Sequence, residues 1–249
     1  MRVYNENIVY KKGLSVVEDQ EAVEVATYKG VSSKLFIYLA FLLLGVFVSF
    51  YLLQTNFEML AIMLGISVVG TFFTAFISML SVRMVKTTGI IYCILEGILV
   101  GTVSLFFEAF VPGVALAAVL GTLSVLMVVA TLYTTGIVKV NGKFIRFLSI
   151  FAFSVLFLWL LLFLISWIAP SLLNIFNSDN IFLIVLISSI FIFLASLYLF
   201  WDLEQIREIV EGGYPKQMEW FAAFGLVFTT IWLYLQVLRL LFIILSRRD

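Results

Sequence analysis

The chain has 249 residues, of which 63% are hydrophobic, 16% aromatic and only 12% charged, with 15 Lys plus Arg against 15 Asp plus Glu and a mean hydropathy of +1.17. That is more apolar surface than a soluble protein of this length buries, so the chain reads as an all-α polytopic membrane protein whose first partner is the lipid bilayer. Zero net charge without a long basic run argues against nucleic acid as a partner; the absence of histidine removes the usual zinc ligand and near-neutral proton switch, and a single cysteine, Cys93, allows no intrachain disulfide.

In chain order, residues 1–34 mix both charge signs and hold no long apolar run, so they read as a solvated cytoplasmic arm and not as a cleavable signal peptide. Residues 35–249 then form one transmembrane domain with seven stretches long enough to span, at roughly 20 residues each. They run approximately over Leu35–Leu53, Met59–Ser81, Gly89–Phe110, Gly113–Tyr133, Ile145–Ile168, Ile181–Asp202 and Trp220–Leu245. Lys and Arg gather in alternate connections: Arg2, Lys11, Lys12, Lys29 and Lys34 in the tail, Arg83 and Lys86 in the second loop, Lys139, Lys143 and Arg146 in the fourth, Arg207 and Lys216 in the sixth. The first, third and fifth loops have none, which places the N-terminus in the cytoplasm. Seven spans put Arg247 and Arg248 outside, so either the last segment is re-entrant or a two-residue tail is too weak to matter.

Polar residues inside these spans carry the functional signal, because an ionised acid in hydrocarbon costs on the order of 2.5–3.5 kcal/mol unless it is paired, protonated or wet. Glu96 lies in the cytoplasmic half of the third span: it is either a protonated packing acid or part of an ion or proton path. Glu108 near the outer end ends a stripe with Gly97, Gly101 and Ser104, at i, i+4, i+7 and i+11. Gly97 and Gly101 form a small-residue face, for which Ala117 and Gly121 on the next span offer a matching surface. The sixth span ends at Asp202, with Ala195 and Ser188 at heptad spacing above it; Glu204, Glu208 and Glu211 beyond it read as solvated. On the seventh span Gly225, Thr229, Trp232, Gln236 and Arg239 make one polar stripe, expected to face protein. Arg239 either snorkels to headgroups or pairs with Glu108.

The segments "YCILEGILVGTVSLFFE", "TLYTTGIVKVNGKFIRFL", "YLFWDLEQI" and "EWFAAFGLVFTTIWLYLQVLRLL" together resemble the Bax inhibitor-1/YccA-like family, also called the transmembrane BAX inhibitor motif family, and more narrowly its bacterial branch. The resemblance covers all seven spans in order, and "YKGVSSK" before the first is similar to that branch's entry segment. It implies six helices surrounding a central seventh and, for studied members, a pH-sensitive calcium leak. It also implies a gate in which two aspartates, ending the sixth span and within the seventh, share a proton, with a basic residue at the cytoplasmic end of the second span latching onto them. Asp202 in "FWDLEQI" matches the first aspartate, whereas the second position falls on Thr229 of "VFTTIW". Arg83 is the candidate latch. Glu96 in "LEG" matches the family's third-span glutamate and is placed to supply the missing carboxylate, since both acids lie in the cytoplasmic half.

These readings make the chain a cation leak channel or transporter-like protein of the bacterial inner membrane, pH-modulated and calcium-permeable, gated near Asp202. Asp202, Glu96 and Thr229 would offer calcium only a weak transit site, with no resident cofactor. Walker, HExxH and His-dependent triad motifs are lacking, so no enzyme activity is expected. A second reading is a non-conducting regulator that binds a membrane protease or other quality-control partner through its N-terminal tail.

Overall fold

The computed structural model describes residues 24–168 and 181–246; the tail residues Arg2, Lys11 and Lys12, the connection over 169–180, and Arg247 and Arg248 lie outside the described residues. Seven helices are each long and apolar enough to cross a membrane: α1 (Tyr28–Thr55), α2 (Phe57–Leu80), α3 (Val85–Phe110), α4 (Val114–Thr134), α5 (Gly142–Ile168), α6 (Ile181–Glu211) and α7 (Met218–Leu245). With all backbone bonds made inside each segment, helices of this length satisfy their polar groups in lipid. The start of α1 and the α2–α3, α4–α5 and α6–α7 turns share one end of the bundle, called here the basic end for its Lys and Arg residues.

Several ends differ from the hydropathy reading because polar caps extend the helices past their apolar runs. The first helix begins at Tyr28, inside the stretch expected to be tail: Thr27 accepts from Gly30 N–H at 2.9 Å and so caps its N-terminus. Toward the basic end α6 runs on nine residues beyond Asp202, to Glu211. Between α3 and α4 the chain reverses at Gly113, whose φ of 86° lies in the left-handed region where a side chain is strained.

The seventh helix carries the core. Phe224, Val227 and Ile231 join Tyr38 of α1 and Val85, Tyr92 and Cys93 of α3 in one cluster, while Leu233, Val237 and Leu238 join Val114 and Ala118 of α4 and Ala195 and Leu199 of α6 in another. A helix buried on opposite sides is flanked by protein on both. The seventh helix packs against α1, α2, α3, α4 and α6, but among the described residues α5 packs only on α6, where Tyr198 OH donates to Leu148 O at 3.3 Å. Among the described residues α7 therefore has five helix neighbours, and α5 reaches the bundle through α6. Aromatic edges lock the α1–α3–α7 contact: Tyr38 and Tyr92 meet Phe224 at centroid distances of 6.1 and 5.3 Å.

Candidate functional site

Asp202 is buried where α6 crosses α7, about 14 Å along α6 from its end at Glu211. Gly225 faces it: a Cβ there would lie in ordinary contact, 3.5 Å from Asp202 Oδ1. Thr229, one turn further and also buried, faces the same carboxyl. The other oxygen, Oδ2, has no hydrogen-bond partner. Among the described residues Ser67 Oγ, Asp202 Oδ2 and Gln236 Oε1 are the buried side-chain polar atoms without one, and Gln236 shares the α7 stripe with Thr229. An unmatched buried acceptor costs about 1–3 kcal/mol, so the carboxyl is held where only a proton, a water or a cation completes it.

The residues expected beside Asp202 do not all arrive. Glu96 sits at the expected depth on the stripe of α3 that includes Tyr92, which meets Phe224 and Phe228 of α7. The backbones of α3 and α6 make no close approach, and among the described residues no hydrogen bond links Glu96 to Asp202. Glu96 is partly buried and makes no hydrogen bond or ion pair among the described residues. No group of three or more His, Cys, Asp or Glu side chains able to hold a metal exists there either. Arg83 is exposed in the α2–α3 turn without an ion pair, so no latch on Asp202 is closed.

The outer pair is corrected as well. Glu108 turns its oxygens onto the start of α4, accepting from Gly113 N–H through Oε1 and from Ala115 N–H at 2.9 Å through Oε2, while Arg239 is exposed. Four backbone donors with no intrahelical partner, at the positive end of the helix dipole, bind a carboxylate without a cation. The glycine stripe also has a different partner from the one expected. A Cβ on Gly97 would lie 2.2 Å from Leu42 O, and one on Gly101 2.3 Å from Ser49 Oγ, both on α1. Gly45 of α1 returns the contact, its Cβ 2.2 Å from Ile94 O. Gly121 faces α7 instead, its Cβ 3.0 Å from Val237 Cγ1, and Ala117 is half-buried. Further along α3, Ser104 lies with its hydroxyl 2.8 Å from that of Tyr234 on α7.

Two further glutamates are buried, one of which, Glu204, was expected to be solvated. Glu204 is 6% exposed, accepts from Tyr133 OH at 2.7 Å and pairs with Arg207, which ties the end of α4 to α6. Glu219, 1% exposed in the first turn of α7, accepts from Thr27 N–H at 2.9 Å and pairs with Lys34. Beyond the Arg207 three residues from Glu204, neither has a sequence signal for its burial, because Tyr133, Thr27 and Lys34 are remote along the chain. Outside the spans, a hydrogen bond to Glu24 holds the pKa of Lys216 above the usual lysine value.

Comparison with known families matches one model, described as Bax inhibitor 1 like, over residues 6–246. Comparison with curated proteins returned no match, and neither did comparison with solved structures.

Proposed function

Since the chain belongs to the Bax inhibitor 1-like family, we propose that it is a membrane cation leak protein whose permeating ion passes Asp202. The observation that carries this reading is the unpartnered Asp202 Oδ2, buried between α6 and α7 against Gly225 and Thr229. A carboxylate in the bundle interior with one free oxygen attracts cations into a region that otherwise repels them, and intramembrane acids of this kind mark ion and proton paths. Calcium is the ion proposed. It takes about six to eight oxygens, and a site with one carboxylate, one hydroxyl and water falls short of that set. Shortfall suits conduction, which needs binding weak enough for the ion to leave.

In this reading the basic end faces the cytoplasm of a bacterial inner membrane, as the distribution of Lys and Arg supports. Protonation of Asp202 removes the charge that draws the cation, so flux depends on pH through one carboxyl. The test is calcium uptake into proteoliposomes holding the purified protein, against protein-free vesicles. Uptake that exceeds the empty vesicles and falls in Asp202→Asn supports the reading; uptake equal to that of empty vesicles at every pH overturns it in favour of a non-conducting regulator.

A further inference from the structure

The basic end holds a second polar cluster, centred on Glu219, that the cation path does not use. Besides the Lys34 ion pair and the Thr27 N–H, Glu219 Oε1 lies 3.2 Å from the Thr27 hydroxyl. A Cβ on Gly30 would lie 1.9 Å from the same oxygen, so the first turn of α1 is laid directly onto this carboxylate. Beside it the Trp220 ring has Lys34 Nζ at 5.9 Å and Lys86 Nζ, from α3, at 5.6 Å. Just ahead of α1 the chain runs antiparallel to the α6–α7 turn. Ala26 N–H donates to Tyr214 O and Lys216 N–H to Glu24 O, each at 2.8 Å, and Lys216 pairs with Glu24. These bonds bracket Val25 and Pro215 as a non-hydrogen-bonded pair, the one place in a ladder that needs no N–H from proline. At the last residue of α6, Glu211 accepts from Tyr28 OH at 3.2 Å.

Every one of these contacts falls on the short turn 212–217 or on the helix ends beside it. That turn joins the two helices that enclose Asp202, and three of its neighbours, Glu211, Glu219 and Trp220, are held by residues at the start of α1 or α3. We propose that residues 24–34 form a strap that regulates the Asp202 site. With Lys34 paired to Glu219 the strap clamps the α6–α7 turn and keeps α6 and α7 closed over Asp202; with the strap released the helices part and the cation gains access. The proposal rests on Asp202 as the cation site, and its test separates the two.

In a Cys93→Ser background, Val25→Cys with Pro215→Cys places two thiols at a facing pair whose side chains are close enough for a disulfide. Oxidation closes the strap and lowers calcium flux several-fold, and reduction of the same protein restores it. Lys34→Gln with Glu219→Gln removes both charges together and raises flux several-fold. In that same charge-free protein Thr229→Cys reacts several-fold faster with a cationic thiol reagent than in the parent. Flux that responds to Asp202→Asn but is indifferent to the disulfide and to the paired charge removal overturns the strap. If no variant conducts while Thr229→Cys labelling still accelerates on charge removal, the strap holds and the cation path falls.

Discussion

At the scale of single residues, the site is one carboxylate where a pair was expected. Two carboxylates at close range titrate as a coupled unit, whereas Asp202 facing Thr229 titrates alone. The pH profile of flux in the parent therefore follows a single proton, and Thr229→Asp steepens it toward two; a Thr229→Asp profile with the parent's slope removes Thr229 from the gate. Glu108 yields a second expectation. Because its oxygens cap α4, Glu108→Gln destabilises by about 0.5–2 kcal/mol, Arg239→Gln is close to neutral, and the double variant equals the sum of the two. Thermal unfolding in detergent measures this, and a coupling energy between the positions restores the ion pair. Asp202 and Thr229 were legible in the sequence because a motif and a count of residues located them. Glu219 and Glu204 were not, since an acid at a helix end has the same local pattern whether a lysine 185 residues away reaches it or water does.

At the scale of helices, small residues revealed which faces pack closely but not against what. A glycine stripe states only that some backbone approaches, and Gly45 of α1 offers as good a complement as Ala117 and Gly121 of α4. The distances in the fold rank the outcomes. Gly97→Ala forces a methyl group to within 2.2 Å of Leu42 O, a backbone atom that moves only if α1 moves. It costs at least the roughly 1–3 kcal/mol typical of overpacking. Gly121→Ala meets only the end of the Val237 side chain at 3.0 Å, and its cost is smaller. Equal melting temperatures for the two variants would mean that α3 does not seat on α1 as described. The sequence likewise showed seven spans by hydropathy, yet missed the first turns of α1, where Thr27 and Glu219 act in place of apolar length.

At the scale of the whole molecule, α7 is the axis because its buried apolar residues join different helices on its two sides, and Glu219 fastens its first turn to α1. At the basic end Glu219 is buried and Lys34 partly so, so removing Lys34 alone leaves a buried carboxylate without its cation and costs more than removing both charges together. Unfolding of Lys34→Gln, Glu219→Gln and the double variant checks this; strictly additive losses contradict it. That α5 reaches the bundle through α6 was not visible in the sequence, since a helix that is apolar all round looks the same whether lipid or protein covers it. The claim on which the functional account rests is that cations cross the bundle past Asp202. Its most direct measurement is calcium flux into proteoliposomes across a pH series for the parent and for Asp202→Asn. The account predicts a flux in the parent that falls along a one-proton curve as pH is lowered, and in Asp202→Asn a low flux with no such dependence. A variant that conducts as well as the parent, with the parent's pH profile, contradicts it.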